Sequence, residues 1–293
     1  MPIRLGSSTP AKLYVGANEV TKAYVGATEV YSSGAPAAWT PADLGASLAL
    51  WLDADDAGTI TLNGSTVSQW NDKSGNGRNI SQAAASQQPT WNATGLNSKP
   101  TLVFDGSNDM LLNQNAGSVG VENITLVAVM RYVSAAGQDL PMGVGQTGAF
   151  RAVRSLFRSS GGTTQGFATW ASDAAGSSLS TDTGGTHHIF EAVMANSNSV
   201  NLYRDGVIDT GAPRALSSSP ALPVTFNGFS IGSLQGNAVG NYYSNIEVSE
   251  ALVLYTDVSN ADRQKLEGYL AHKWGLTANL PADHPYKSTP PTV

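Results

Sequence analysis

An antiparallel all-β body, sandwich or barrel, is what this chain of 293 residues predicts. Three observations carry that expectation. Short runs rich in β-branched and aromatic residues recur along most of the chain, with turn clusters roughly every 8–12 residues. Strands never alternate with helical patterns, so nothing suggests a parallel βαβ sheet. A convincing helix occurs only once, close to the end.

The opening says one thing twice. Lys12-Leu13-Tyr14-Val15-Gly16-Ala17-Asn18-Glu19-Val20 is repeated ten positions later as Lys22-Ala23-Tyr24-Val25-Gly26-Ala27-Thr28-Glu29-Val30, closed by Tyr31. Each copy spells a small β-hairpin with a Gly-Ala turn. A piece of this size buries no core of its own, so it needs shelter from another surface. Residues 1–34 are therefore read as an attachment element, with Tyr14, Val15, Tyr24, Val25 and Tyr31 as its assembly interface. The Ser-Gly-Ala-Pro composition makes 35–38 a linker.

From residue 39 to 258 the strands come in order. Leu48–Asp53 ends in acidic turn residues. Thr59–Leu62 and Thr66–Trp70 flank Asn63-Gly64-Ser65, a hairpin signal. Thr101–Phe104 leads into Asp105-Gly106-Ser107-Asn108-Asp109. Ile124–Tyr132 is apolar on both faces in its middle, which places it centrally. Ala152–Arg158 should face Gly166–Ala171, and Ile189–Met194 should face Ser199–Tyr203. Arg204-Asp205-Gly206 marks another tight hairpin before Val207, and runs at 229–232 and 244–255 complete the set.

The helix begins after Ser259, which can cap it together with Asp262. Leu266, Tyr269, Leu270, Lys273 and Trp274 share one face, and Gly275 supplies a left-handed stop. Gly268 weakens this helix by about 1 kcal/mol relative to Ala, so docking must support it. The Pro-rich tail to 293 is extended.

Composition excludes several function classes. The chain is 41% apolar, enough for a core, yet only 13% of its residues are Asp, Glu, Lys or Arg. That leaves a polar, weakly charged surface, as in many secreted or virion β-proteins. A net charge of −6 argues against nucleic acid as a partner, since no basic face releases counterions. Arg151, Arg154 and Arg158 read as a solvated strand face. With no cysteine there is no disulfide framework, thiolate nucleophile or cysteine metal site. No apolar export segment or membrane-length run is present, so no membrane insertion and assembly in a cytoplasm are expected.

Chemistry-bearing motifs are sparse. Gly143-Val144-Gly145-Gln146-Thr147-Gly148 matches a nucleotide fingerprint but lies outside the strand–turn–helix context it needs. Asp53, Asp55 and Asp56, with Asp72 or with Asp105 and Asp109, offer oxygens that calcium takes, although turns use the same residues structurally. No other cofactor is expected. His187 and His188 diverge on a strand, His272 lies on a helix and His284 in the tail, and all four read as structural. Glu247 and Glu250, three apart, point to opposite faces of an unbulged strand, which argues against a glycosidase pair. The expectation is that the chain is not an enzyme. Trp51, Trp70, Trp91 and Trp274 read as core. Trp170, Asn241, Tyr242 and Tyr243 sit in loops rich in Asn, Ser and Gly, and form the candidate ligand-binding platform.

Four runs taken in order resemble the laminin-G-like branch of the concanavalin-A-like jelly rolls. They are Leu50-Trp51-Leu52-Asp53-Ala54, Trp70-Asn71-Asp72-Lys73-Ser74-Gly75-Asn76-Gly77, Leu102 to Asp109, and Leu202-Tyr203-Arg204-Asp205-Gly206-Val207. The resemblance implies a jelly-roll sandwich over 39–258, with the helix and tail at 259–293 after it. The doubled opening is similar to that of many tailed-bacteriophage virion proteins. Glu267 to Leu276, together with Leu280-Pro281-Ala282-Asp283-His284-Pro285-Tyr286, is similar to the close of phage and marine-bacterial laminin-G-like proteins. These likenesses imply a homo-oligomeric virion surface or tail component. Its N-terminal repeat would dock on other virion proteins, and its jelly roll would adhere to host or environmental glycans. The alternative is a decoration or spacer protein without a ligand.

Overall fold

The computed structural model describes residues 13–15, 17–32, 36–113, 123–134, 139–145, 154–158, 164–169, 172–174, 185–196, 199–216, 228–233 and 243–293. The chain is all-β and antiparallel, with one α-helix among the described residues.

Both copies of the opening repeat form hairpins. Strands β1 (Leu13–Val15) and β2 (Asn18–Val20) pair in one, β3 (Lys22–Val25) and β4 (Thr28–Ser32) in the other. Tyr14 opposes Glu19 as Tyr24 opposes Glu29, so the ten-residue repeat is also a structural repeat. Gly26 has a φ of +62° at the first central turn position, as a two-residue hairpin with a primed turn requires. Each hairpin is a two-stranded sheet by itself. The described part of this N-terminal unit also includes Pro291–Val293. Ala38 bridges Thr292, and the Trp39 amide donates to the Pro291 carbonyl over 3.1 Å.

Thr40–Pro290 forms the second unit. Its first strands are β5 (Leu48–Asp53), β6 (Ile60–Asn63), β7 (Thr66–Trp70), β8 (Ile80–Ser81), β9 (Thr90–Leu96), β10 (Lys99–Asp105) and β11 (Leu111–Asn113). Then come β12 (Ile124–Tyr132), β13 (Asp139–Gly145), β14 (Arg154–Arg158), β15 (Gln165–Thr169), β16 (Ser172–Ala174) and β17 (His188–Ala195). Last are β18 (Ser199–Arg204), β19 (Val207–Ile208), β20 (Arg214–Ala215), β21 (Gly228–Ile231), β22 (Asn245–Leu254) and the helix α1 (Asn260–Trp274).

Pairing divides these strands into two antiparallel groups. One runs β18-β17-β12-β22, and the far edge of β22 is shared by β10 and β5, with β9 beyond β10. The other runs β16-β15-β14-β13-β21-β11-β8-β7-β6. Among the described residues a single pair, Thr66–Thr90, links them.

Register then explains the core. Leu126, Ala128, Met130 and Tyr132 alternate on one face of β12 and are buried with Phe190, Ala192 and Met194 of β17. Tyr132 and Phe190 meet edge to face, ring centroids 5.7 Å apart. The opposite face of β12 is buried too, since α1 covers its neighbours β17, β22 and β5. That is why the run reads apolar on both sides.

Helix α1 starts and stops where its sequence says. Ser259 accepts from the Asp262 amide over 3.1 Å, and Gly275 ends the helix in the left-handed conformation. Gly268 has a packing reason: a Cβ there would lie 2.4 Å from the Tyr286 Cβ. The tail crosses the helix at that point, so the helix needs a residue without a side chain.

Candidate functional site

The opening hairpins expose large apolar side chains. Tyr14 and Val15 are 53% and 71% exposed, and Tyr24 and Val25 are 55% and 61% exposed. Four large apolar side chains in equivalent positions thus face solvent on two small sheets. Tyr14 and Val15, like Tyr24 and Val25, are consecutive strand residues, so each hairpin exposes tyrosine on one face and valine on the other. Tyr31 lies in β4, opposite Ala23.

Of the ligand platform, Trp170, Asn241 and Tyr242 lie outside the described residues. Tyr243 is half-buried just before β22, next to Ser244, whose amide donates to the Gly232 carbonyl over 2.8 Å. Trp51, Trp70 and Trp274 are buried as expected, while Trp91 is half-buried.

The acidic turn residues are ion-paired or hydrogen-bonded within the chain. Asp53 pairs with Lys73 at 2.7 Å and Lys273 at 2.6 Å, Asp55 with Lys99 at 2.5 Å, and Asp56 with Lys73 at 2.9 Å. The Lys73 side chain also holds the Asp56 carboxyl below its usual range. Asp72 accepts from the amides of Trp51, Ser74 and Arg78 over 2.8–3.0 Å, which shapes the Asn71–Arg78 loop. Asp105 caps the Ser107 amide at 2.7 Å, and Asp109 accepts from the Asp105 amide at 3.0 Å. Burial pushes the Asp109 carboxyl up to about 6. No group of three or more His, Asp or Glu side chains suited to a metal converges among the described residues.

Glu247 and Glu250 correct the reading of their strand. Val248 opposes Met130 and Glu250 opposes Val129, so Ser249 is the extra residue of a β-bulge. The bulge shifts the alternation and brings both glutamates to one face. That face is closed over. Glu250 is 0% exposed and accepts from Trp51 Nε1 (2.7 Å), Trp274 Nε1 (2.6 Å) and Lys273 Nζ (2.7 Å). Indole and ammonium groups only donate, so both carboxyl oxygens serve as acceptors; burial raises this carboxyl, and Lys273 and the Trp51 indole oppose that rise. Burial and Glu250 together raise the Tyr269 phenol far above its usual range.

Glu247 is 1% exposed and accepts from Thr101 Oγ1, Asn92 Nδ2 (3.1 Å) and Arg131 Nε (2.6 Å). Burial raises its carboxyl, but Thr101 and Arg131 outweigh burial and hold it below the usual range. Glu250 therefore ties strands to the helix, and Glu247 ties strands to one another.

His187, His188 and His284 are likewise buried, and His272 is half-buried. His188 Nδ1 bonds Asp205, while burial pushes His187 down to about 4 and keeps it neutral. His272 Nε2 lies 2.9 Å from the Tyr286 carbonyl, and His284 Nε2 lies 3.0 Å from Glu267. Of the glycine motif, Gly143, Val144 and Gly145 lie in strand β13, paired with β21, and Gln146, Thr147 and Gly148 lie outside the described residues.

Sequence reasoning missed the buried charge beneath α1. Glu191 and Glu250 interrupt otherwise apolar strand runs, and that interruption was the available signal: a charge on a buried strand needs partners.

No family model and no curated protein matches the chain. Its fold is similar to part of the Trypanosoma rangeli sialidase, at 16% identity with a TM-score of 0.51 over 87% of this chain and 36% of that one. It is also similar to a GH54 α-L-arabinofuranosidase, at 13% identity with a TM-score of 0.50 over 69% of this chain and 50% of that one. The chain thus spans about a third to half the length of these enzymes. The expectation that the chain is not an enzyme does not survive this finding. Its fold is shared with chains that are glycosidases, so exclusion of glycan hydrolysis is withdrawn.

Proposed function

We propose that this chain is a homo-oligomeric bacteriophage virion protein of the tail or capsid surface. It displays a laminin-G-like jelly-roll sandwich that adheres to host or environmental glycans. The observation that carries the reading is the pair of matching hairpins exposing Tyr14-Val15 and Tyr24-Val25. Such a surface loses its apolar exposure on docking to another virion protein, at about 25 cal/mol per Å² buried. The two antiparallel strand groups, read as the layers of a sandwich, supply the displayed body.

The adhesive platform is assigned to Trp170, Asn241, Tyr242 and Tyr243, where aromatic faces stack on sugar rings and amides meet hydroxyls. Binding is weak per site and gains strength from many copies. A glycan array probed with the assembled oligomer tests it. Binding that is lost in Trp170→Ala or Tyr243→Ala supports adhesion, and silence across broad sugar sets favours a spacer without a ligand.

A second reading, glycan cleavage, is favoured by the fold shared with parts of the sialidase and the arabinofuranosidase. Release of reducing ends from host polysaccharide by the purified chain would establish it. The carboxylates that perform it would have to lie elsewhere than Glu247 and Glu250, whose oxygens are buried and bonded.

A further inference from the structure

Beneath α1, more acid is buried than base. Glu191 on β17 is 0% exposed and no donor reaches either of its carboxyl oxygens, while the Glu267 carboxyl lies within hydrogen-bonding reach. The nearest cation is Arg263 of α1, whose Nη1 stands 3.8 Å away. Both terminal nitrogens of Arg263 are committed, Nη1 to Glu267 and Nη2 to Asn260 Oδ1 over 2.7 Å, and its buried Nε reaches no acceptor, Glu191 included. Its guanidinium also lies over the Tyr203 ring, 3.9 Å from the centroid.

Glu267, also 0% exposed, holds the tail through His284. The Tyr286 amide donates to His284 Nδ1 over 3.2 Å, so the ring's proton sits on Nε2 and is given to Glu267. Glu267 must therefore be an acceptor. One guanidinium then serves two buried carboxyl groups. Asp205, the third acid nearby, is taken by His188 and by the Ile189 amide at 2.9 Å.

An ionised Glu191 would be an unbonded buried anion facing another, which costs several kcal/mol. We propose that Glu191 is protonated in the folded chain, donates toward Glu267, and so acts as a proton-dependent fastener for α1 and the tail crossing it. Losing that proton sets two carboxylates against one Arg263 and releases this edge of the body, while β12 stays folded.

Burial, and then the charge of Glu267, act in the same direction by raising the Glu191 carboxyl well above its usual range. The folded chain thus holds a proton that the unfolded chain gives up, so this contribution to stability declines as pH rises from the usual glutamate range. The groups facing Glu191 are Tyr203 and Asp205 from the neighbouring strand and turn, Arg263 and Glu267 from α1, with His284 behind Glu267 from the tail. Arg263 opposes the effect, and the acids reinforce it. None of this depends on the proposed adhesion.

Hydrogen exchange of the full-length protein tests it, reading α1 amides against β12 amides in the same sample so that base catalysis cancels. The α1-to-β12 ratio should rise by about tenfold or more between about pH 5 and about pH 9, since each pH unit between the opened-state pKa and the raised folded pKa is worth a factor of ten, with a plateau above the folded pKa. Glu191→Gln, neutral and isosteric, should flatten that rise. A wild-type ratio that does not change with pH overturns the proposal whether or not the variant folds. A Glu191→Gln ratio that rises as steeply as wild type overturns it as well.

Discussion

The opening hairpins and the interface beneath α1 break the same rule in opposite directions. In the hairpins, tyrosine and valine stand in solvent. Beneath α1, glutamates 191, 250 and 267 and Arg263 are buried. The difference lies in what surrounds each group. The charged interface is complete within the chain, because nearly every buried carboxylate meets a donor from a strand or the helix. The apolar pairs of the hairpins stay more than half exposed, and the proposed attachment would cover them.

Disrupting the charged side should have the largest effect. Glu250→Ala leaves two indole N–H groups and the Lys273 ammonium buried without their acceptor, and is expected to cost about 3–5 kcal/mol. The denaturation midpoint measures it, and a loss under about 1 kcal/mol would mean that solvent reaches this interface. Gly268→Ala comes next. The helix gains about 1 kcal/mol in propensity, but the clash with Tyr286 costs about 1–3 kcal/mol. The net expected outcome is a lower melting temperature, whereas an isolated helix would melt higher.

The pH dependence separates two buried groups by sign. Asp109 is raised from 3.8 to about 6, so the folded chain binds its proton more tightly and this contribution is lost as pH climbs through that window. His187 is lowered from 6.5 to about 4, so its contribution is lost as pH falls through that range. Melting curves between about pH 4 and about pH 7 should show Asp109→Asn removing the first trend and His187→Gln the second. The smallest effect on folding belongs to the hairpins. Serine at Tyr14, Val15, Tyr24 and Val25 should leave the unfolding midpoint of the Thr40–Pro290 unit within about 0.5 kcal/mol of wild type.

Much of the fold was legible because it is encoded locally. Both hairpin copies, the Asp205-Gly206 turn, the Ser259 cap and the Gly275 stop are all set by neighbouring residues. Non-local features were not. The bulge at Ser249 arises from matching β22 to β12, over a hundred residues away, so nothing near Glu247 announced that it shares a face with Glu250. Lysines 73, 99 and 273 come from three separate elements to neutralise the aspartates at 53, 55 and 56. Carboxylates that read as calcium ligands along the chain are ion-paired in space. Gly268 read as a weakness because the tail that needs it lies eighteen residues on, at Tyr286.

Attachment through the hairpins is the central claim. Particles assembled with the full-length chain carrying serine at 14, 15, 24 and 25 in place of wild type measure this most directly, by mass spectrometry of the purified virions. The expected result is a folded protein left in the soluble fraction and missing from particles; incorporation at the wild-type level would contradict it.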